Sequence, residues 1–163
     1  LNTYLNGEYL TSLGTLADKI ATTTWKVGGN TEANIKDVLP ATTYLNEITN
    51  PVTTNTTDNA TTYSAKIGLM YVSDYGFAAD SSEWTEKLGS YKSSSKNWLY
   101  LGSIEWTISR SSDNLYSAFY VKSGGVYSTY VTESYVVRPS FNLESSVKYV
   151  SGSGTIENPI RIN

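Results

Sequence analysis

The most apolar run of the chain is AKIGLMYVS, residues 65–73. A short apolar run that is bounded by turn residues is typical of a strand buried on both faces. The next residues, Ser73-Asp74-Tyr75-Gly76, have the composition of a turn. The run therefore predicts a central buried strand.

The chain beyond residue 97 has the pattern of consecutive antiparallel strands. Ser123-Gly124-Gly125 is a hairpin turn signal between two runs rich in β-branched and aromatic residues. Pro139 restricts its own strand to an edge, an end or a bulge, because proline donates no ladder hydrogen bond. The predicted strands cover residues 98–101, 106–109, 115–121, 126–131, 135–143, 147–150 and 159–162.

The chain before the apolar run begins with a predicted amphipathic helix over residues 2–23. Its apolar side chains recur at helical spacing and so share one face. They are Leu5, Tyr9, Leu13, Leu16 and Ile20. A short strand is predicted at residues 25–27, and a weaker helix or turn over 31–39 ends at Pro40.

Two polar stretches interrupt this pattern. Residues 50–64 are rich in Thr and Asn and predict a long exposed loop, in which Asn55 and Asn59 match the glycosylation pattern. Residues 80–97 are rich in Ser, with Trp84 and Leu88 as possible anchors of a short helix or loop. Because helix precedes strands, we expect one α+β domain over residues 1–163, with a helical lead-in at 1–24 and a β-rich core at 65–163.

Composition excludes several classes of function. The 163 residues contain no Cys and no His, which removes Ser-His-Asp triads, Cys nucleophiles and nearly all zinc, haem and iron–sulfur sites. The net charge is −3 and no basic run occurs, so the positive footprint that nucleic acid requires is missing. We expect no cofactor, no metal and no nucleic-acid partner.

Carboxylates are the remaining route to hydrolytic chemistry. Glycosidases need only a pair of acids held at a defined separation. The candidates are Asp74, Asp80, Glu83, Glu86 and Glu105. Their spacing predicts no such pair, and a solvated polar face is favoured over a calcium site for the acids at 80–86. The sequence therefore predicts a protein that is not an enzyme.

The ends of the chain suggest processing and export. No stretch approaches the length of about 20 apolar residues that crosses a bilayer. The sequence begins at Leu1 rather than Met. We therefore expect a portion of a longer precursor, with any export signal or anchor outside it.

Four segments carry a resemblance to a known family. They are Tyr4-Leu5-Asn6, IGLMYVSDYGFA at 67–78, NWLY at 97–100 with EWTISR at 105–110, and VRPSFNLESSVKYVSGSGTIENPIRI at 137–162. Together they resemble bacterial surface domains of unknown function, found mainly in Firmicutes and distantly similar to C-type lectins and formylglycine-generating enzymes. The last segment, with the pattern VRPxxxL followed by GxGTxxNPxxI, is the most specific.

The resemblance implies a C-type-lectin-like fold in which the terminal strand closes the domain by pairing near the start of the chain. It does not imply the chemistry of the related proteins. Formylglycine-generating enzymes depend on Cys, which is lacking here. Glu157-Asn158-Pro159 holds the residues of a calcium-lectin motif in the wrong order, so calcium-mediated sugar binding is not expected.

Aromatic residues of the predicted hairpin are the candidate ligand contacts. On alternating strands about half of the side chains face the core. We expect Phe119, Val121, Val126 and Val136 to face inward. The outward residues would then be Tyr116, Tyr120, Tyr127 and Tyr130, whose amphipathic rings suit a binding surface.

Structural roles are predicted for three further residues. Arg138 lies between Val137 and Pro139, so its guanidinium should meet carbonyls or a carboxylate and fasten the fold. Trp98 and Trp106 are expected to support the strands that carry them.

The predicted function is adhesion or ligand binding by an extracellular surface domain whose ligand is a glycan or a protein. The alternative is a structural subunit of a pilus-like filament, whose partners are neighbouring copies of itself.

Overall fold

Short helices and small antiparallel sheets make up the chain, and this mixture is compatible with the predicted α+β class. The structure, a computed structural model, describes residues 1–49, 62–91 and 97–163. The helical segments are Asn2–Tyr4, Leu5–Tyr9, Leu10–Ser12, Gly14–Lys19, Pro40–Tyr44, Leu45–Thr49, Val72–Phe77, Ser81–Glu83 and Leu88–Ser90. None of the helices in these three ranges is long and apolar enough to cross a membrane.

The strands form four sheets. They are β1 Thr23–Lys26, β2 Thr62–Ala65, β3 Gly68–Leu69, β4 Glu105–Arg110, β5 Ser117–Lys122, β6 Gly125–Tyr130, β7 Pro139–Ser140, β8 Tyr149–Ser151 and β9 Arg161–Ile162. β4, β5 and β6 form a three-stranded sheet, while β1 pairs with β2, β3 with β7, and β8 with β9.

The predicted N-terminal helix is present but ends earlier than expected. Four consecutive helical segments, which we call the N-terminal helix, run from Asn2 to Lys19, and Leu5 is buried on their inner face. Ile20 is extended instead, and it pairs with Leu143 through an antiparallel bridge. The side chain of Ile20 is fully buried, as the apolar pattern predicted, although its backbone is no longer helical.

The prediction of a helix or turn ending at Pro40 is right about the turn and wrong about the helix. Residues 32–37 form turns, and a helix begins at Pro40. The missing N–H of proline costs nothing at the first helical position, because that donor has no partner within a helix. Pro40 therefore starts a helix here rather than ending one.

The prediction of one continuous strand over residues 65–73 is wrong. The run ends β2, supplies the two residues of β3, and then enters the helix Val72–Phe77, which we call the Val72 helix. Its apolar side chains are buried as expected, with Ile67, Leu69 and Val72 no more than 5% exposed. Burial alone does not distinguish a strand from a buried helix.

The predicted loop at residues 50–64 extends too far toward the C-terminus. Residues 62–64 belong to β2, where Ser64 pairs with Thr24 of β1. Asn55 and Asn59 lie outside the described residues.

The sheet of β4, β5 and β6 separates two apolar cores. Phe119, Val121 and Val126 point to one core, and all are at most 1% exposed, as predicted. Trp106 and Tyr120 point to the other, where they meet the N-terminal helix. The predicted hairpin turn is confirmed, because Lys122 at the end of β5 pairs with Gly125 at the start of β6.

Val136 does not belong to the core. Its backbone pairs with the edge of β4, since the N–H of Trp106 donates to its carbonyl over 3.0 Å. The side chain is 51% exposed, so the prediction that it faces inward is wrong. The predicted strand 135–143 is reduced to β7, with single bridges at Val136 and Leu143.

The terminal strand does not close the domain. β9 pairs with β8, and these two strands form a separate hairpin, which we call the terminal hairpin. The start of the chain instead meets residues 142–144, where the N–H of Ala21 donates to the carbonyl of Asn142 over 2.9 Å. The implied pairing of the last strand near the chain start is therefore wrong.

Candidate functional site

A surface groove of about 360 Å³ lies between the Val72 helix and the segment that follows residue 96. We call it the Trp98 groove. Its lining residues are Met70, Asp74, Phe77, Ala78, Trp98, Leu99, Arg138 and Ser140. The walls are mainly apolar and carry a few charged or hydroxyl groups, which is the usual composition of a ligand site.

The indole of Trp98 projects into solvent because the residue before it is anchored. Asn97 is buried, and its Nδ2 donates to the carbonyl of Tyr75 in the Val72 helix over 2.8 Å. Its Oδ1 accepts from the N–H of Leu99 over 3.0 Å, which fixes a turn. Trp98 is 75% exposed at this turn. The predicted strand 98–101 is absent, and Trp98 does not pack in the core.

Arg138 lines the groove and is fixed beside Leu99. Its Nη2 donates to Oε2 of Glu105 and to the carbonyl of Leu99, each over 2.7 Å. Burial raises the pKa of Glu105, and the positive charge of Arg138 opposes that rise. The contacts thus join β4, the Trp98 turn and the segment that leads into β7.

Asp74 supplies the negative charge of the groove. Its Oδ2 accepts from the N–H of Tyr71 over 2.9 Å, at the start of the Val72 helix. Partial burial raises the pKa of Asp74 above its ordinary value, and the hydrogen bond from Tyr71 opposes the rise. The carboxylate therefore stabilises the helix start while it faces the groove.

An aromatic strip extends the groove along the surface. The ring of Phe77 lies edge-on to Trp84, with centroids 5.1 Å apart, and contacts Tyr44 at 6.4 Å. The indole N–H of Trp84 donates to the carbonyl of Ala79 over 3.0 Å, so the ring is held in place. Tyr44, Trp84 and Trp98 are all exposed, and together with Phe77 they form the strip.

The four tyrosines that the sequence singled out do not form one surface. Tyr120 and Tyr127 lie opposite each other in the sheet and line a depression of about 260 Å³ together with Lys122 and Ser123. Tyr130 pairs with Ser117 at the other end of the hairpin, on the face that carries Phe119. Side chains directly opposite each other share a face, so Tyr130 and Tyr127 point to opposite sides.

Tyr116 and Tyr130 are exposed at the open end of the β5–β6 hairpin, by 68% and 58%. Tyr120 is instead half-buried in an aromatic stack. Its ring centroid lies 5.0 Å from Tyr135 and 6.0 Å from Trp106, which is itself buried. Tyr120 therefore supports the sheet as much as it faces solvent.

A buried acid for which no role was predicted lies at the start of the Val72 helix. Glu47 is fully buried and accepts hydrogen bonds from the N–H groups of Val72 and Ser73 over 3.2 and 3.1 Å, and from the hydroxyl of Ser109. Burial raises the pKa of Glu47 to about 7, and the hydrogen bonds oppose the rise. The carboxyl thus fixes the start of the Val72 helix against β4.

The acids considered as calcium ligands do not assemble into a site. Within residues 1–49, 62–91 and 97–163, no group of three or more acidic, His or Cys side chains is close enough to hold a metal ion. Glu83 is the last residue of a short 3-10 helix, Ser81–Glu83.

Trp98 was expected to support a strand but lines the groove instead, and no role was predicted for Glu47. A Trp within a polar, Ser- and Lys-rich stretch is a signal that could have indicated exposure at residue 98. Glu47 has no such signal, because its partners Val72, Ser73 and Ser109 are 25, 26 and 62 residues away.

Comparison with known proteins gives no relative. No protein-family model matches the chain, and no curated protein or solved structure matches it.

Proposed function

We propose that the protein is a non-enzymatic extracellular binding module that holds a glycan at the Trp98 groove. The observation that carries the proposal is the 75% exposed indole of Trp98 beside a groove with fixed charged walls. Exposed apolar surface of this kind costs solvation free energy unless a partner covers it. The aromatic strip extends the same surface, so a chain of several sugar units could be held along it.

Glycan chemistry matches the groups in the groove. Aromatic faces accept the apolar face of a pyranose ring, while Asp74, Ser140 and Arg138 offer acceptors and donors for hydroxyl groups. The backbone N–H of Trp98 donates to the carbonyl of Ala78 over 3.3 Å, and the guanidinium of Arg138 donates to the carbonyl of Leu99 over 2.7 Å. The backbone that carries the indole and the guanidinium itself are therefore already ordered, which lowers the entropy cost of binding.

Binding is favoured over hydrolysis because the three acids of this region already have other partners. Glu47 is fully buried and accepts from the N–H groups of Val72 and Ser73. Glu105 is paired with Arg138, and Asp74 accepts from the backbone of Tyr71. A hydrolytic pair needs one acid free to donate a proton and another free to act as base or nucleophile. The C-type-lectin-like fold remains part of this proposal, supported by the sequence motifs.

The test is binding of the purified protein to a glycan array, followed by calorimetry with the best oligosaccharide. We expect the Trp98→Ala variant to bind at least about tenfold more weakly, as is common for a central aromatic contact. Leu101→Ala is the matched control, because Leu101 is 70% exposed in the same segment but does not line the groove. Equal binding by Trp98→Ala and wild type would refute the groove as the site.

A filament subunit is the second candidate function, and the terminal hairpin favours it. Among the described strands, β8 and β9 pair only with each other, so each offers an edge to a further strand. The hairpin also exposes apolar side chains, including Tyr149, Val150 and Ile156. Strand addition between neighbouring copies would cover both the edges and these side chains.

Light scattering after size exclusion, with electron microscopy of concentrated protein, separates the two functions. Filaments or discrete oligomers that are lost in the Val150→Lys variant would support assembly through the hairpin. The control is Leu101→Lys, which places the same charge on an exposed residue elsewhere. A monomer that binds a glycan supports the binding module instead.

A further inference from the structure

A second cleft, separate from the Trp98 groove, lies between the N-terminal helix and strands β1 to β4. Its volume is about 370 Å³. A water molecule takes up about 30 Å³, so the cleft has room for side chains. Leu5, Ile67 and Leu69 form buried apolar walls. The residues that line the cleft all precede residue 111, so the terminal hairpin of the same copy does not fill it.

The cleft has a fixed wall because Trp25 approaches Gly68 closely. A Cβ atom on residue 68 would lie only 2.7 Å from the ring of Trp25. The indole can therefore lie directly on β3, and its N–H donates to the carbonyl of Ala65 over 3.0 Å. The cleft thus has its shape before anything enters it.

The mouth of the cleft is also apolar and lies beside an open strand edge. Leu1 and Tyr63 line the cleft and are both exposed to solvent. The amide of Asn2 donates to the hydroxyl of Tyr63 over 2.5 Å, which holds the ring at the mouth. Tyr63 belongs to β2, and among the described strands β1 and β2 pair only with each other. Each therefore keeps one edge that no other described strand covers.

The terminal hairpin carries a side chain of the opposite shape. Of the large apolar side chains in the described residues, Ile156 is the most exposed, at 96%. It lies in the connection between β8 and β9, residues 152–160. An aliphatic side chain that projects fully into water is unfavourable unless a partner covers it.

The connection that presents Ile156 is ordered by its own hydrogen bonds. The carbonyl of Asn158 accepts from the N–H groups of Ser153 and Gly154 over 3.0 and 3.1 Å. The N–H of Asn158 donates in turn to the carbonyl of Thr155 over 3.2 Å. Because this loop is already fixed, Ile156 can dock with little loss of conformational entropy.

We propose that the terminal hairpin of one copy docks in this cleft of the next copy, with the side chain of Ile156 inside it. The proposal rests on the assembly function proposed above and names the surface that receives the hairpin. Both surfaces are apolar and exposed in the isolated chain, so their contact removes both from water. Every copy carries one of each, and a contact between two different surfaces joins copies head to tail.

The first test compares single variants of the full chain by light scattering and sedimentation. Ile156→Lys and Tyr63→Lys should each raise the concentration needed for assembly at least about tenfold, because a charge enters an apolar contact. Tyr116→Lys is the matched control, since Tyr116 is an exposed tyrosine at the open end of the β5–β6 hairpin. It should assemble as wild type does. Tyr63→Phe removes only the hydroxyl and should retain assembly.

The second test mixes the two defective variants. Tyr63→Lys keeps an intact hairpin, and Ile156→Lys keeps an intact cleft. Mixed one to one, they should form discrete dimers at concentrations where each alone is monomeric, because one complete contact joins them and neither has a second. Such dimers also show that both variants are folded. A contact between two hairpins predicts no dimer in this mixture.

The outcomes separate this proposal from the assembly function on which it rests. A mixture that stays monomeric overturns the docking of hairpin in cleft. The same holds if Tyr63→Lys assembles like wild type while Ile156→Lys does not, a result that leaves assembly through the hairpin standing. A wild-type chain that stays monomeric up to about millimolar concentration overturns the assembly function itself, and this proposal with it.

Discussion

At the scale of single residues, Glu47 shows how burial and hydrogen bonding compete. The carboxyl is completely buried, yet backbone N–H groups of Val72 and Ser73 and the Ser109 hydroxyl all point to it. Its pKa rises to about 7 because desolvation outweighs these donors. Near neutral pH the folded protein therefore keeps this proton to a larger extent than the unfolded chain does.

The raised pKa of Glu47 predicts that stability falls as pH rises. Between pH 4.5 and 7 the folded chain keeps a proton that the unfolded chain releases, so the free energy of unfolding decreases across this window and levels off above it. Between pH 5 and pH 8 the loss should be roughly 2–3 kcal/mol. Urea unfolding of wild type and Glu47→Gln at both pH values measures it.

Glu47→Gln should remove this part of the pH dependence, because an amide does not titrate. The exposed Glu157 gives the matched control, and Glu157→Gln should keep the wild-type slope. A Glu47→Gln protein that loses as much stability between pH 5 and pH 8 as wild type would show that another group is responsible.

Arg138 is a second residue whose partner is buried. Removing the guanidinium would leave the carboxylate of Glu105 without its cation, and the buried Oε1 of Glu105 already has no hydrogen-bond partner. We expect Arg138→Ala to lower the free energy of unfolding by about 2–3 kcal/mol, somewhat less than for a fully buried pair because the arginine side chain is 28% exposed. The melting temperature should fall by several degrees.

Addition of Glu105→Gln to Arg138→Ala separates the charge effect from lost packing. The double variant should regain part of the stability, since no unpaired carboxylate is left. An unchanged melting temperature in Arg138→Ala would contradict a role of this arginine in fastening the fold.

At the scale of elements, the turn of the β5–β6 hairpin contains a residue whose substitution should stabilise the protein. Ser123 and Gly124 have φ angles of 50° and 84°, so both occupy the left-handed region that a tight hairpin turn requires. Asparagine adopts this region more readily than serine. We expect Ser123→Asn to raise the free energy of unfolding by about 0.5–1 kcal/mol, measured by thermal unfolding.

Gly124→Ala provides the opposite change at the same turn. A Cβ in the left-handed region should cost about 1 kcal/mol, and the carbonyl of Gly124 also accepts from the buried hydroxyl of Tyr75 over 2.8 Å. If Ser123→Asn destabilises the protein as Gly124→Ala does, the turn does not have the geometry described here.

Local sequence pattern could not predict the backbone conformation of residues 65–73. Apolar composition predicted burial correctly at Ile67, Leu69 and Val72. It could not indicate that Glu47, far away in sequence, would satisfy the N–H groups that start the Val72 helix. A helix start needs partners for its free donors, and here a distant element supplies them.

At the scale of the whole molecule, the terminal hairpin should be the least protected β structure. β8 is exposed along its length, and the hairpin pairs with no other described strand. A two-stranded hairpin on its own is marginally stable in water. We expect amides of β8 and β9 to exchange with solvent at least about a hundredfold faster than those of β5, as for a locally opening unit.

Hydrogen exchange followed by mass spectrometry or NMR measures this difference in the monomer. The backbone amide of Ala21, which donates to the carbonyl of Asn142, is the internal reference, because it joins the segment after the N-terminal helix to residues 142–144. Protection of β8 equal to that of β5 in the monomer would contradict a marginally stable terminal hairpin.

The sequence by itself determined the broad class, the N-terminal helix, the β5–β6 hairpin and the burial of Phe119, Val121 and Val126, because these follow from local periodicity and turn chemistry. It also excluded chemistry that needs Cys or His.

Only the tertiary structure decided the exposure of Trp98, the contact of Arg138 with Glu105, the buried position of Glu47 and the separate terminal hairpin. Each of these depends on which distant segments meet. Local sequence carries periodicity and conformational preference, whereas the pairing of remote donors, acceptors and apolar faces is settled by the packing of the whole chain.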